Sequence, residues 1–326
     1  MNDDTFPTAS NEEVRAWLVQ QGLAVGELCD LTGDVSLRHY SRVTHGGETA
    51  IVAIYPPEIR SSCRNFLETS RLLSRAGVRV PRIHASDCER GLMLLEDAGT
   101  DTLYDLRDRD SAVLSAYFWR AASDLECIQS LAVSEVALLN PPLDRDLLWR
   151  ELDQTWTALF ERRGILDDPR FSHTLRESLT EICRALAEDR QVPCHRDFMA
   201  RNFVPVGESP ELVVLDHQDL RIGPQHYDLA SLLNDSLFPD PALEEAILLH
   251  CLGDEPLERI RYHRAAAQRT LKATGTYESF ALRGYTRHQK LIPGTLMRAL
   301  EHLSRLPEMA AVIDDLEQRM APLLIC

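Results

Sequence analysis

The second half of the chain reads mostly as helix. One island of strand and loop, residues 192–219, interrupts it and restricts the fold more than any other feature. The island opens with His195-Arg196-Asp197-Phe198-Met199-Ala200-Arg201-Asn202, a loop of the pattern H-x-D-x-x-x-x-N. Fourteen residues after Asn202, Asp216 closes the apolar run Leu212-Val213-Val214-Leu215. A histidine-aspartate loop followed by a strand that ends in a carboxylate has a mechanical meaning. Phosphoryl transfer asks little covalent chemistry of a protein; it needs an acceptor oxygen in line and divalent metal to neutralise the phosphates. Asp197 suits the carboxylate that positions the acceptor hydroxyl and takes its proton. Asn202 and Asp216 suit the hard oxygen ligands that Mg²⁺ prefers. His-Arg-Asp alone is three common residues, and a strand-end Asp often only makes a turn; the full set at this spacing carries the reading.

The bulk numbers leave room for such an enzyme and exclude other classes. The 326 residues allow one large domain or two lobes with separate cores. Acidic residues outnumber basic ones by 51 to 35, for a net charge of −16. That balance opposes nucleic-acid binding, which needs clustered Lys and Arg on one face. No apolar run approaches the ~18 residues of a membrane span. The polar start, Met1-Asn2-Asp3-Asp4, does not read as a signal peptide. The eight cysteines lack C-x-x-C spacing and are spread evenly, so reduced thiols in a cytoplasmic protein are expected.

Before the island, the pattern is helix, hairpin, helix, strands. Ser10 and Glu13 form an S-x-x-E capping box ahead of a helix that Gly22 can close. Residues 35–43 and 49–55 are β-type, with His45-Gly46-Gly47 as the hairpin turn. Residues 60–76 form an amphipathic helix ended by Gly77, followed by residues 78–83 and the apolar strand Leu92-Met93-Leu94-Leu95. After Glu96-Asp97-Ala98-Gly99, helices are predicted over 111–130, 144–163, 171–188, 227–237, 241–252, 256–275, 293–305 and 307–319. Trp17, Trp119, Trp149 and Trp156 fall in helical patterns and are expected in the core. The prediction is an α+β fold with a small sheet-bearing lobe, residues 1–97, and a larger helical lobe, residues 98–326.

On these residues the sequence resembles the aminoglycoside phosphotransferase/choline kinase group, small-molecule relatives of the protein kinases. The resemblance implies a protein-kinase-like two-lobed fold, with residues 33–43 as the phosphate-covering hairpin and residues 92–98 as the hinge. The backbone of Glu96 and Ala98 would bind adenine there. Asp228-Leu229-Ala230 matches the group's D-L-A after the metal Asp. Only eleven residues separate Asp216 from Asp228 and no A-P-E follows, which leaves no room for a peptide-docking activation loop. The strings HRDFMARN, LDHQDLRIGPQHYDLASLLND and QRTLKATGTY are similar to bacterial anomeric sugar kinases of cell-wall recycling, which phosphorylate N-acetylmuramate and N-acetylglucosamine at the C1 hydroxyl. The resemblance implies ATP as donor, Mg²⁺ and a small sugar as acceptor. No nucleic-acid or membrane partner is expected, and the protein is expected to be a monomer.

The pattern also departs from the kinases. The strand Val52-Ala53-Ile54 is followed by Tyr55 where a phosphate-binding Lys is usual, and the helix position of its Glu partner is Phe66, with Glu68 nearby. Loss of both together is coherent, since removing one would strand the other's charge. Arg38, on one strand face with Tyr40 and Arg42, is the candidate replacement, because guanidinium grips phosphate in bidentate fashion. Gly33 and the Ser36 hydroxyl would help cover the nucleotide. For the acceptor, His217, Gln218, Asp219 and Arg221 mix donors and acceptors as a sugar requires; the same run also reads as a turn that sets Asp216. Asp228 reads as a backbone anchor near the catalytic loop or as a helix N-cap. Arg264, Gln268 and Lys272 form one helical stripe, by default solvated. The resemblance raises Lys272 and Arg269 as substrate contacts. Arg201 could meet the acceptor, the departing phosphate or Asp197. Two other functions compete: a kinase of an amino alcohol or aminoglycoside, and a nucleotide-binding pseudokinase. The missing Lys–Glu pair motivates the last, and the intact Asp197, Asn202 and Asp216 oppose it.

Overall fold

The computed structural model describes residues 8–23, 26–31, 37–207 and 210–324. The chain runs α1 (Asn11–Gln20), β1 (Leu28–Leu31), β2 (His39–His45), β3 (Glu48–Ile54), α2 (Ser61–Arg75), β4 (Ile83–Asp87) and β5 (Leu92–Glu96). Then come α3 (Ser111–Gln129), α4 (Val133–Val136), α5 (Arg145–Glu151), a π-helical segment (Thr155–Glu161) and α6 (Pro169–Glu188). The strands β6 (Gln191–Cys194), β7 (Phe203–Val206) and β8 (Glu211–Val214) fall in the island, and β9 (Arg221–Pro224) follows just after it. The rest is helical: α7 (Tyr227–Asn234), α8 (Pro241–Leu252), α9 (Pro256–Leu282), α10 (Ile292–Leu303) and α11 (Ile313–Met320). The α+β class matches the expectation. The fold divides into two compact units, one built from the described residues up to Thr100 with Val204–Asp219, the other from Asp101–Phe203 with Leu220 onward.

The first unit is built on an antiparallel sheet of order β1-β2-β3-β5-β4. His45 pairs with Glu48 across Gly46 and Gly47, which take φ of 59° and 90°. Positive φ at both central residues matches strand twist, so this two-residue turn sets the hairpin register. Alternation along β3 supplies two cores. Val52 and Ile54 join Val43, Leu92 and Leu94 under Val14, Trp17 and Leu18 of α1. Ala53 and Tyr55 join Met93 and Leu95 under Cys63 and Phe66 of α2. Each large buried side chain contributes about 1.5–3 kcal/mol, so covering both faces fixes the register tightly. Ser10 caps α1 as expected: its Oγ accepts from Glu13 N at 3.3 Å, and Glu13 Oε2 accepts from Ser10 N at 2.8 Å. Residues 78–82 are not part of a strand. Pro81 removes a ladder donor, β4 starts only at Ile83, and Arg79 O instead accepts from Val214 N of β8 at 2.8 Å.

Cys63 of α2 and Cys88, just past β4, form a disulfide with Cα atoms 5.6 Å apart. The expectation of reduced thiols throughout is corrected at this pair; tertiary packing brings together cysteines that no local spacing links.

In the second unit, the 27-residue α9 packs against α7, α10 and the π-helical segment. It runs past Gly275, where a helix end was expected. A Cβ at Gly275 would lie 2.3 Å from Thr155 N, and Thr155 Oγ1 donates to Leu271 O at 2.7 Å. The glycine is therefore a contact point between helices. The crossing chain is wound as π-helix there, so the single helix expected over 144–163 is split. Residues 307–309 form a separate turn before α11. Trp17 and Trp156 are buried as expected, but Trp119 is exposed and meets His250 edge-on.

Candidate functional site

The motif residues fall into two constellations, one in each unit. In the first unit, β8 delivers Asp216 in left-handed backbone, φ 59°. A non-glycine residue pays about 1 kcal/mol or more in that conformation, and such strain concentrates where a side chain must be aimed. Arg38 forms an ion pair with Asp216 through Nη2 and donates from Nη1 to Gln218 Oε1 at 2.8 Å. Gln218 Nε2 donates to Asp216 Oδ1 at 3.0 Å. Burial alone would lower the Arg38 pKa, but Asp216 beside it raises it, so the guanidinium stays charged. Tyr40 lies beneath Arg38, and burial pushes its hydroxyl up to about 12.

Arg42, on the same strand face as Tyr40, goes elsewhere: Nε and Nη2 donate to Asp97 at 2.6 and 3.0 Å. Glu96 closes β5 with its amide on Arg82 O at 2.8 Å and its carboxylate on Arg79 at 2.6 Å. Ala98 follows in the loop after β5. Ser36 and Gly33 lie outside the described residues. His217 is buried against α2, its Nδ1 2.7 Å from Thr69 Oγ1 and its ring 4.2 Å from that of Phe66. It braces the turn that carries Asp216. Asp219 ends that turn, half-buried. The usual Lys–Glu positions are apolar in fact as well as in sequence. Tyr55 and Phe66 share one apolar cluster, and Glu68 is exposed and paired with Arg71.

In the second unit, β6 leads into the His195–Asn202 loop. Its strain sits at Arg196, φ 81°. Asp228, buried at the start of α7, accepts from His195 N at 2.5 Å and Arg196 N at 2.8 Å. It thus anchors the loop backbone. Asn202 Nδ2 donates to Asp197 O at 2.7 Å, which commits the nitrogen side of that amide to the loop. Arg221 is buried in β9 opposite Cys194 of β6 and donates to Pro141 O at 3.2 Å.

Around Asp197 the charges alternate. Arg196 pairs with Glu151 at 2.8 Å; Glu151 meets Lys272 at 3.3 Å; Lys272 meets Asp197 at 3.5 Å. Asp197 meets Arg269 at 3.0 Å; Arg269 meets Asp235 at 3.4 Å; Asp235 meets Arg201 at 3.3 Å. Tyr277 OH accepts from Arg201 Nη2 at 2.8 Å. Four cations bracket three carboxylates. Burial would raise the Asp197 carboxyl, but Lys272, Arg269 and Arg196 hold it well below the usual range. Burial likewise opposes the Glu151 charge, and Lys272 and Arg196 hold that carboxyl at about 2. Burial pushes the Lys272 ammonium down, with Asp197 and Glu151 opposing.

Arg264 and Gln268 are not a solvated stripe. Gln268 is buried and donates to Leu148 O at 3.0 Å, and Arg264 pairs with Glu308. Glu151 and Asp235 went unseen in the sequence. Glu151 had a signal: it lies three residues after Leu148, on the buried face of its helix, where an acid requires a partner. Asp235 had none beyond its place at the end of α7. Among the described residues no group of three or more His, Cys, Asp or Glu forms a metal cage. Nor is any described helix long and apolar enough to cross a membrane.

A profile described as the phosphotransferase enzyme family matches residues 27–267. The chain is 32% identical over 303 residues to a Pseudomonas putida N-acetylmuramate/N-acetylglucosamine kinase, covering 87% of this chain and 86% of that protein. It is 31% identical over 274 residues to the protein of the same name from Pseudomonas aeruginosa, covering 82% and 75%. Among solved structures, it is similar to an aminoglycoside phosphotransferase in ternary complex with streptomycin and ATP. That match has a TM-score of 0.60 at 16% identity and covers 92% of this chain and 98% of the other. A Plasmodium vivax ethanolamine kinase matches with a TM-score of 0.55 at 14% identity, covering 85% and 81%. These likenesses show the protein-kinase-like fold.

Proposed function

Given that the chain belongs to the phosphotransferase enzyme family, we propose that it transfers the γ-phosphoryl group of ATP to the anomeric C1 hydroxyl of N-acetylmuramate, N-acetylglucosamine or both. The observation that carries this reading is the setting of Asp197. A carboxylate held ionised between Lys272 and Arg269 can orient a sugar hydroxyl and draw its proton as the bond to phosphorus forms. The names of the relatives support the sugar. So does the charge ladder, which begins and ends on a cation and favours a neutral or anionic acceptor over a cationic aminoglycoside or amino alcohol.

In this reading residues 1–97 bind nucleotide, with the Glu96 and Ala98 backbone on adenine and Arg38 turning to the phosphates. Residues 98–326 carry Asp197 and the acceptor contacts, among which we place Arg201. The Asn202 amide oxygen and the Asp216 carboxylate are of the hard-oxygen kind that holds Mg²⁺, which when bound neutralises phosphate charge. Arg269 and Lys272 serve Asp197 before they serve substrate. In this reading the reaction runs in the cytoplasm, where ATP is supplied.

The test is incubation with γ-labelled ATP, Mg²⁺ and a panel of amino sugars, amino alcohols and aminoglycosides, with Asp197→Ala alongside. Label on the amino sugars that is lost in the variant supports the reading. Label only on amino alcohols or aminoglycosides overturns it, and transfer to nothing favours a pseudokinase.

A further inference from the structure

Glu151 makes four polar contacts with three different elements. Arg196 of the strained loop donates to it from Nε at 2.9 Å and Nη2 at 2.8 Å. Tyr227 OH of α7 donates at 2.9 Å, and Lys272 of α9 lies 3.3 Å away. Its side chain is 6% exposed, against 24% for Asp197. Lys272 is thus shared between a buried carboxylate that is fully engaged with protein and a more exposed one that is not. The buried partner is the fixed end. We infer that Glu151 is a positioning residue for the transfer: it fixes the Lys272 ammonium, and through Lys272 the carboxylate of Asp197.

The physical case is one of geometry. A lysine amine on four methylenes has many rotamers, and a single contact at 3.5 Å to Asp197 would leave it free to swing. A second carboxylate on the far side removes that freedom. The same carboxylate works with Asp197 against the burial that disfavours the ammonium charge. Without Glu151, Lys272 would collapse onto Asp197, occupying an oxygen needed for the acceptor hydroxyl. Catalysis depends on such placement to a fraction of an ångström.

The inference rests on the kinase reading, and its test is a double-mutant cycle of Glu151→Gln and Lys272→Met, scored on kcat and on KM for ATP. We expect Glu151→Gln to lower kcat by about tenfold or more with KM for ATP within about twofold, and the double variant to be no worse than Lys272→Met within about threefold. Glu151→Asp, charged but one methylene short, should recover part of the loss. Wild-type kcat in Glu151→Gln, or losses that multiply in the double variant, overturn the inference. If Glu151→Gln does not fold, the double variant against Lys272→Met decides by the same criterion. The cycle is run with amino sugar and as the slow transfer to water. A wild type that hydrolyses ATP but leaves amino sugars untouched removes the sugar reading and leaves the cycle readable; one that turns over no ATP overturns both.

Discussion

Arg38 and Asp216 form an ion pair, and Gln218 bridges both partners. The pair lies in the unit where Tyr55 and Phe66 stand in place of the usual Lys and Glu. In the proposed reading Asp216 is a metal carboxylate, and Arg38 turns from it to phosphate when nucleotide and Mg²⁺ bind. Arg38→Ala is expected to raise KM for ATP and to lower kcat by about tenfold or more. Arg38→Lys should recover only part, because an ammonium cannot make the bidentate contact. Steady-state kinetics across ATP concentrations check this; unchanged values for Arg38→Ala would remove it from the nucleotide site.

The cations around Asp197 imply a pH dependence of definite sign. They favour its charged form, so wild-type kcat should show no acid limb from Asp197 within the ordinary carboxylate range. Arg269→Gln removes one cation, raises the Asp197 pKa, and should make kcat fall at higher pH than in wild type as the solution is acidified. Stability follows the same linkage. The Glu151 carboxyl is depressed to about 2 from an ordinary 4.5, so its contribution is fully present above about 4.5 and is lost as pH falls toward 2. Rate–pH profiles of wild type and Arg269→Gln decide the first point. An acid limb at the same pH in both would contradict it.

How much of this could be read in the sequence follows the range of the interactions. The Ser10–Glu13 box, the Gly46-Gly47 turn and the His195–Asn202 loop are local, and each appears where its residues imply. Gly275 misled because a mid-helix glycine resembles a stop; the Thr155 backbone it accommodates is far away in sequence. The stripe of Arg264, Gln268 and Lys272 looked solvated for a like reason. Its partners, Glu308, Leu148 O, Glu151 and Asp197, come from distant elements, and burying polar groups depends on such partners. Arg38 could be singled out from the gap at Tyr55, but its partner Asp216, 178 positions on, could not.

The Cys63–Cys88 bridge closes a span of 25 residues and ties α2 to the edge of the sheet. Chain entropy gives about 3 kcal/mol for a loop of this size. Thermal unfolding with and without a dithiol reductant should show a lower Tm on reduction, and Cys88→Ser should match the reduced protein. Because α2 also braces His217 next to Asp216, KM for ATP should rise in the same variant. An unchanged Tm on reduction would contradict the bridge.

The central claim is transfer to the C1 hydroxyl with Asp197 at the reacting centre. Phosphorylation at C1 blocks the reducing end of an amino sugar, whereas transfer to any other hydroxyl leaves it reactive. The deciding measurement is ADP formed against reducing ends lost, with ATP, Mg²⁺ and N-acetylmuramate or N-acetylglucosamine, for wild type and Asp197→Ala. The account predicts one reducing end lost per ADP in wild type and a fall of about a hundredfold or more in the variant. ADP released with reducing ends intact, or equal rates in the two proteins, would contradict it.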